Sequence, residues 1–112
     1  MELNVVHSGM YNVVQLYIDN KPEIILGYEE HDKLLANTLI ARRIPFERDS
    51  VYNFPKANDL RYQTHGMGNV EVNNIERIAI FSGWGHYYNR GIDRRHVELL
   101  RQYNPEWRIY IK

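Results

Sequence analysis

The sequence predicts an α+β domain, a mixed or antiparallel sheet of about five strands with two helices, and three observations carry that expectation. Residues 12–18 alternate with a period of two, residues 29–44 and 93–103 carry apolar side chains at helical spacing, and Ile78, Ala79, Ile80 and Phe81 form an unbroken apolar run. A chain of 112 residues fits one hydrophobic core and hence a single compact domain spanning 1–112. Its apolar share of 44% and charged share of 25% are those of a chain that buries enough surface to offset its ordering entropy.

The elements follow in order. In residues 12–18, Val14, Leu16 and Ile18 alternate with Val13, Gln15 and Tyr17, as in a strand with one buried face. Asp19, Asn20, Lys21 and Pro22 read as a turn, and residues 23–28 with Ile24, Ile25 and Leu26 as the second arm of a hairpin. Residues 3–7 are a further candidate strand. From 29 to 44 the pattern becomes helical, with Leu35, Leu39 and Ile40 on one face, acids in the first turn, and Arg42 and Arg43 in the last, complementing the helix dipole. Pro45 ends that helix. Residues 46–74 are rich in turn formers; only 60–64 suggest a strand, and Gly66 and Gly68 mark a turn or bulge.

The final third is clearer. The run 78–81 reads as a central strand buried on both faces. Residues 93–103 form a helix with Asp93 as N-cap and Val97, Leu100 and Tyr103 on its apolar stripe. Asn104 and Pro105 stop it. Trp107, Ile109 and Ile111 then alternate with Arg108, Tyr110 and Lys112, as in a strand with one solvated face.

Composition excludes several functions. Without cysteine there is no disulfide framework, thiol nucleophile, CxxC redox pair or thiolate zinc site. None of the five histidines, His7, His31, His65, His86 and His96, stands at HxH or HxxxH spacing, so no metal is expected. A formal net charge of zero argues against a domain held to DNA by phosphate neutralisation. Charge is nevertheless uneven, with six acids against Lys21 in residues 1–32 and six bases against three acids in 86–112. No run approaches a membrane span, and the first residues, MELNVVHSG, lack the basic start and apolar core of a signal peptide, so no membrane and a cytoplasmic location are expected.

The segment from 82 to 91 is the best candidate site. Glycines Gly83, Gly85 and Gly91 allow close backbone approach; Trp84, Tyr87 and Tyr88 offer stacking surfaces. Ser82, His86, Arg90, Arg94 and Arg95 supply polar and cationic groups before a helix N-terminus, where anions are favoured. The segment matches neither a P-loop nor a dinucleotide fingerprint, so no cofactor is expected. His65, with Arg61, Tyr62 and Gln63 before it and Gly66 to Asn69 after it, forms a second polar and aromatic cluster that would line the same cleft, whereas His96 reads as a helix-face residue.

Three functions compete on these residues. The first is a non-enzymatic binding protein that holds a nucleotide or other phosphorylated small molecule, of the kind a phage accessory protein uses to sequester a host signal, with a homo-oligomer among its expected states. The second is an inhibitor or adaptor that binds a protein partner through a surface rich in its nine tyrosines. The third is a small metal-independent nuclease or phosphoesterase in which His86 or His65 moves protons.

Overall fold

A computed structural model describes residues 7–85 and 90–112, and its architecture is α+β. Strand β1 (Gly9–Ile18) and strand β2 (Lys21–Gly27) form an antiparallel hairpin. Helix α1 (His31–Ala41) follows, then a short hairpin of β3 (Phe46–Arg48) and β4 (Pro55–Ala57). The long strand β5 (Tyr62–Asn73) leads to β6 (Ile78–Ser82), a two-residue pair β7 (Trp84–Gly85) and β8 (Arg90–Gly91), helix α2 (Arg94–Tyr103) and strand β9 (Arg108–Ile111). The main sheet has the order β2-β1-β5-β6-β9, antiparallel except for the parallel pair β6 and β9. Among the described residues no helix is long and apolar enough to cross a membrane.

The hairpin turn is tighter than its composition suggests. Asp19 and Asn20, with φ of 52° and 65°, make the whole turn, because two left-handed residues match the twist of the arms they join. Lys21 and Pro22 already belong to β2, where an edge strand tolerates the missing N–H of proline.

The first helix is shorter than its apolar pattern. It closes after Ala41 because Arg43, at φ 58°, turns left-handed while its N–H reaches the Ile40 carbonyl and that of Ile44 reaches Leu39. This is a Schellman closure, and it places Arg42 and Arg43 beyond the helix instead of in its last turn. Leu35 and Leu39 are buried, but Ile40 is exposed.

The sheet is packed on both sides only where helices cover it. On one face α2 sets Val97 and Leu100 against Val13, Val70, Val72, Ala79, Phe81 and Ile109. On the other, α1 and the β3–β4 hairpin set Leu35, Leu39 and Phe54 against Met67. Strand β1 lies under both layers, so Val13, Val14, Gln15 and Leu16 are all buried, in place of the one-sided strand expected. Strand β6 shows the reverse. Ala79 and Phe81 are buried, but Ile78 and Ile80 are only half-buried, because neither helix reaches that part of the second face. Tyr103 falls outside the apolar stripe and is exposed.

The stretch that sequence reading leaves least legible holds the longest strand. β5 pairs with β1 along its length and with β6 over Asn69 to Asn73. The candidate strand at 3–7 lies, apart from His7, outside the described residues.

Candidate functional site

The site begins with a β-bulge. Gln15 pairs with Gly66 and Leu16 with Thr64, so His65 is an extra residue with no partner on β1. Past the bulge Tyr17 pairs with Gln63, and the displaced His65 ring meets the Tyr17 ring edge-on, centroids 5.2 Å apart. His96 meets the same phenol from α2 at 5.1 Å, also edge-on. Tyr17 therefore stands between two imidazoles, an arrangement that suits the positive edge and negative face of aromatic rings.

The start of α2 is held against this corner by polar contacts. Oδ1 of Asp93 accepts the backbone N–H groups of Arg95 (3.0 Å) and His96 (3.3 Å), capping the helix. Oδ2 of Asp93 accepts the Tyr17 hydroxyl at 2.9 Å. The fully buried Gln15 amide bonds the Asp93 backbone twice, its oxygen accepting from Asp93 N at 2.7 Å and its nitrogen donating to Asp93 O at 3.1 Å. The missing side chain of Gly66 makes room for this, since a β-carbon there would lie 2.7 Å from Asp93 N and would overlap the Gln15 amide oxygen.

A recess of about 300 Å³ opens at this corner, lined by Tyr17, Asn20, Gln63, His65, Asp93 and Arg95. Two amides, an imidazole and a guanidinium supply its donors, and the tyrosine and histidine rings form an aromatic wall. The imidazole of His65 donates to Gln63 Oε1 at 3.2 Å, which orients both groups. Burial, reinforced by the bond to Asp93, pushes the Tyr17 hydroxyl up to about 12, so it stays protonated. Since the first-turn N–H groups of α2 already meet the Asp93 carboxylate, an anion in the recess is met by side chains, Arg95 first among them.

Behind the recess His96, the helix-face residue of the sequence, is wholly buried on the side of α2 that meets the sheet. Its Nε2–H lies between the carbonyls of Leu16 (3.0 Å) and Glu23 (2.9 Å), which fixes the tautomer and leaves Nδ1 without a partner. Burial holds the imidazole below its ordinary value, outweighing the two carbonyls that favour the charged form. His96 is thus a neutral structural residue.

The structure divides the sequence candidates. His65 and Arg95 come together at the recess. Arg94 is exposed and is not among its lining residues. Ser82 ends β6 opposite Asn69, and Gly83 adopts φ 87° to turn the chain into β7. Trp84, half exposed, lays its ring over Gly91, where a β-carbon would collide with it. Gly85 pairs with Arg90, whose guanidinium donates to the Thr64 carbonyl (3.2 Å) and stands 5.7 Å from the centre of the Phe54 ring. Arg90 thereby ties the β7–β8 pair to the body of the protein. His86, Tyr87 and Tyr88 lie outside the described residues.

Sequence reading placed Gln63 in the cluster around His65 but missed Tyr17, Asn20 and Asp93 as lining residues. One signal was present: Gln15 is a polar residue at a strand position flanked by apolar ones, and a buried amide there requires partners. Among the described residues no group of three or more histidines, aspartates or glutamates is arranged to hold a metal ion. No family model matches the chain, and no curated protein matches it.

Proposed function

We propose that the protein is a non-enzymatic binding module that holds a nucleotide or another phosphorylated small molecule in the recess between the β5 bulge and α2. The observation that carries this reading is the convergence of Arg95, His65 and the amides of Asn20 and Gln63 on one cavity with an aromatic wall. A guanidinium with an adjacent imidazole suits a phosphate, and the amides suit the hydrogen-bonding edge of a base or sugar. Holding is favoured over cleavage because Asp93, the one carboxylate among the described lining residues, already accepts hydrogen bonds at both oxygens and is committed to Tyr17 and the start of α2. Retention without turnover amounts to sequestration of the ligand.

The test is a thermal-shift panel of linear and cyclic mono- and dinucleotides with inorganic phosphate as control. A ligand at 100 times its Kd is expected to add about 2.7 kcal/mol of stability. The gain should vanish in Arg95→Ala and His65→Ala and persist in Trp84→Ala. Absence of any shift across the panel removes the proposal.

A further inference from the structure

Among the described residues, the face of the sheet opposite α2 carries no covering element over β6, β9 and the part of β5 that pairs with β6, Asn69 to Asn73, and its residues form an ordered pattern. Strand registers align Met10, Glu71, Ile80 and Tyr110 in one row across β1, β5, β6 and β9. Asn73, Ile78 and Arg108 form the next row, and alternation puts Lys112 on the same face as Arg108 and Tyr110. Met10 and Tyr110 are 53% and 48% exposed, Glu71, Arg108 and Lys112 are exposed, and Ile78 and Ile80 are half-buried with nothing from α1 above them. Among the described residues Glu71, Arg108 and Lys112 form no salt bridge.

The charges are separated by strand. The carboxylate lies on β5, the two cations on the β9 side, and the apolar β6 runs between them. We infer that this face is the contact surface between two copies of the chain, related by a two-fold axis running close to β6. Such an axis brings Ile80 against Ile80 and lays β5 of each copy over β9 of the other. Glu71 then faces Tyr110 of the second copy, with Arg108 and Lys112 about 6.6 Å to either side along that strand, within reach of their long side chains. An axis running across the strands would instead oppose Glu71 to Glu71 and the cations to each other, so electrostatics select the first arrangement. Sheets packed this way sit about 10 Å apart, a gap that isoleucine and tyrosine side chains fill. The zero net charge of the chain adds no long-range repulsion between copies. The recess lies on the α2 side and stays open in the pair.

Sedimentation equilibrium tests the inference on the whole chain. A concentration-dependent dimer is expected, weaker at high salt because its charge pairs are screened. Glu71→Arg alone, and Arg108→Glu with Lys112→Glu, should each raise the dimer Kd by about tenfold or more, while all three substitutions together restore it. Ile80→Asp sets two carboxylates on the axis and should give a monomer with an unchanged far-ultraviolet spectrum. A wild-type chain that is monomeric at about 1 mM overturns the inference and leaves the face to a different protein. So does a dimer that tolerates both charge reversals.

Discussion

Tyr17 donates its phenolic proton to Oδ2 of Asp93 at 2.9 Å, joining residues 76 positions apart in the chain. The same carboxylate caps α2 through Oδ1, so one side chain fixes the start of a helix and the exit of a strand. If the two roles act together, Tyr17→Phe and Asp93→Ala will not be additive. Urea unfolding of the two variants and their combination is expected to give a coupling of about 1 kcal/mol. Additive losses would show that the phenol and the cap act independently.

Gln15→Leu keeps the volume of the side chain but removes both partners of the Asp93 backbone. An unsatisfied donor and acceptor at this partly buried helix start cost about 2 kcal/mol, read as a fall in the urea midpoint at constant slope. A loss under about 0.5 kcal/mol would mean that the Asp93 peptide groups find other partners.

Gly66→Ala forces a methyl group against Asp93 N and the Gln15 amide, neither of which is the free end of a flexible chain. The expected cost is about 1–3 kcal/mol. Gly91→Ala meets a Trp84 ring that is half exposed and has room to swing, so it should cost less. The reverse order of the two melting temperatures would contradict the packing described.

Acid should destabilise the protein through His96. Its folded-state value lies below the ordinary 6.5, because the charged ring is poorly solvated where it is buried. The unfolded chain therefore binds the proton more readily, and the stability at stake is complete above pH 6.5 and lost as pH falls below it. His96→Gln should flatten the profile below pH 6.5. An unchanged slope in that variant would assign the acid limb to other groups.

At the alkaline end the sign reverses. The Tyr17 hydroxyl, raised from 10.0 to about 12, favours the folded state while protonated, so its contribution is complete below pH 10 and lost as pH rises towards 12. Subtracting the tyrosinate absorbance titration of Tyr17→Phe from that of the wild type should isolate one late-ionising phenol. A difference curve centred near pH 10 would place Tyr17 in free solution.

Much of the architecture is legible from periodicity, and the reasons for what is not are physical. The stripe of Val97 and Leu100, the Asp93 cap and the alternation of Trp107, Ile109 and Ile111 can be read directly because each is a local pattern. Strand β5 hides because the alternation begun by Tyr62, Gln63 and Thr64 is broken by the bulge at His65 and by two glycines that serve neighbouring elements, Gly66 for Asp93 and Gly68 for Ile92. Chain directions are equally silent: nothing in 78–81 or 108–111 says that these strands run parallel. The recess eludes sequence reading for a related reason. Tyr17, Gln63 and Asp93 come from three separate segments, whereas the glycine-rich stretch at 82–91 attracts attention by its composition alone. His65 and Arg95 are visible beforehand as polar residues of one cleft, but the strand and turn residues that complete its lining, Tyr17 and Asn20, are not.

The double bond from Gln15 to the Asp93 backbone also has a kinetic side. The β1–β2 hairpin closes through a two-residue turn, an event on the microsecond scale. Docking α2 requires closure across 78 residues, and its seat exists only after β5 has paired with β1 to bring Gly66 alongside Gln15. A last helix whose seat waits on that long-range pairing docks late, however readily it forms on its own, because loop-closure entropy is spent before non-local contacts are gained.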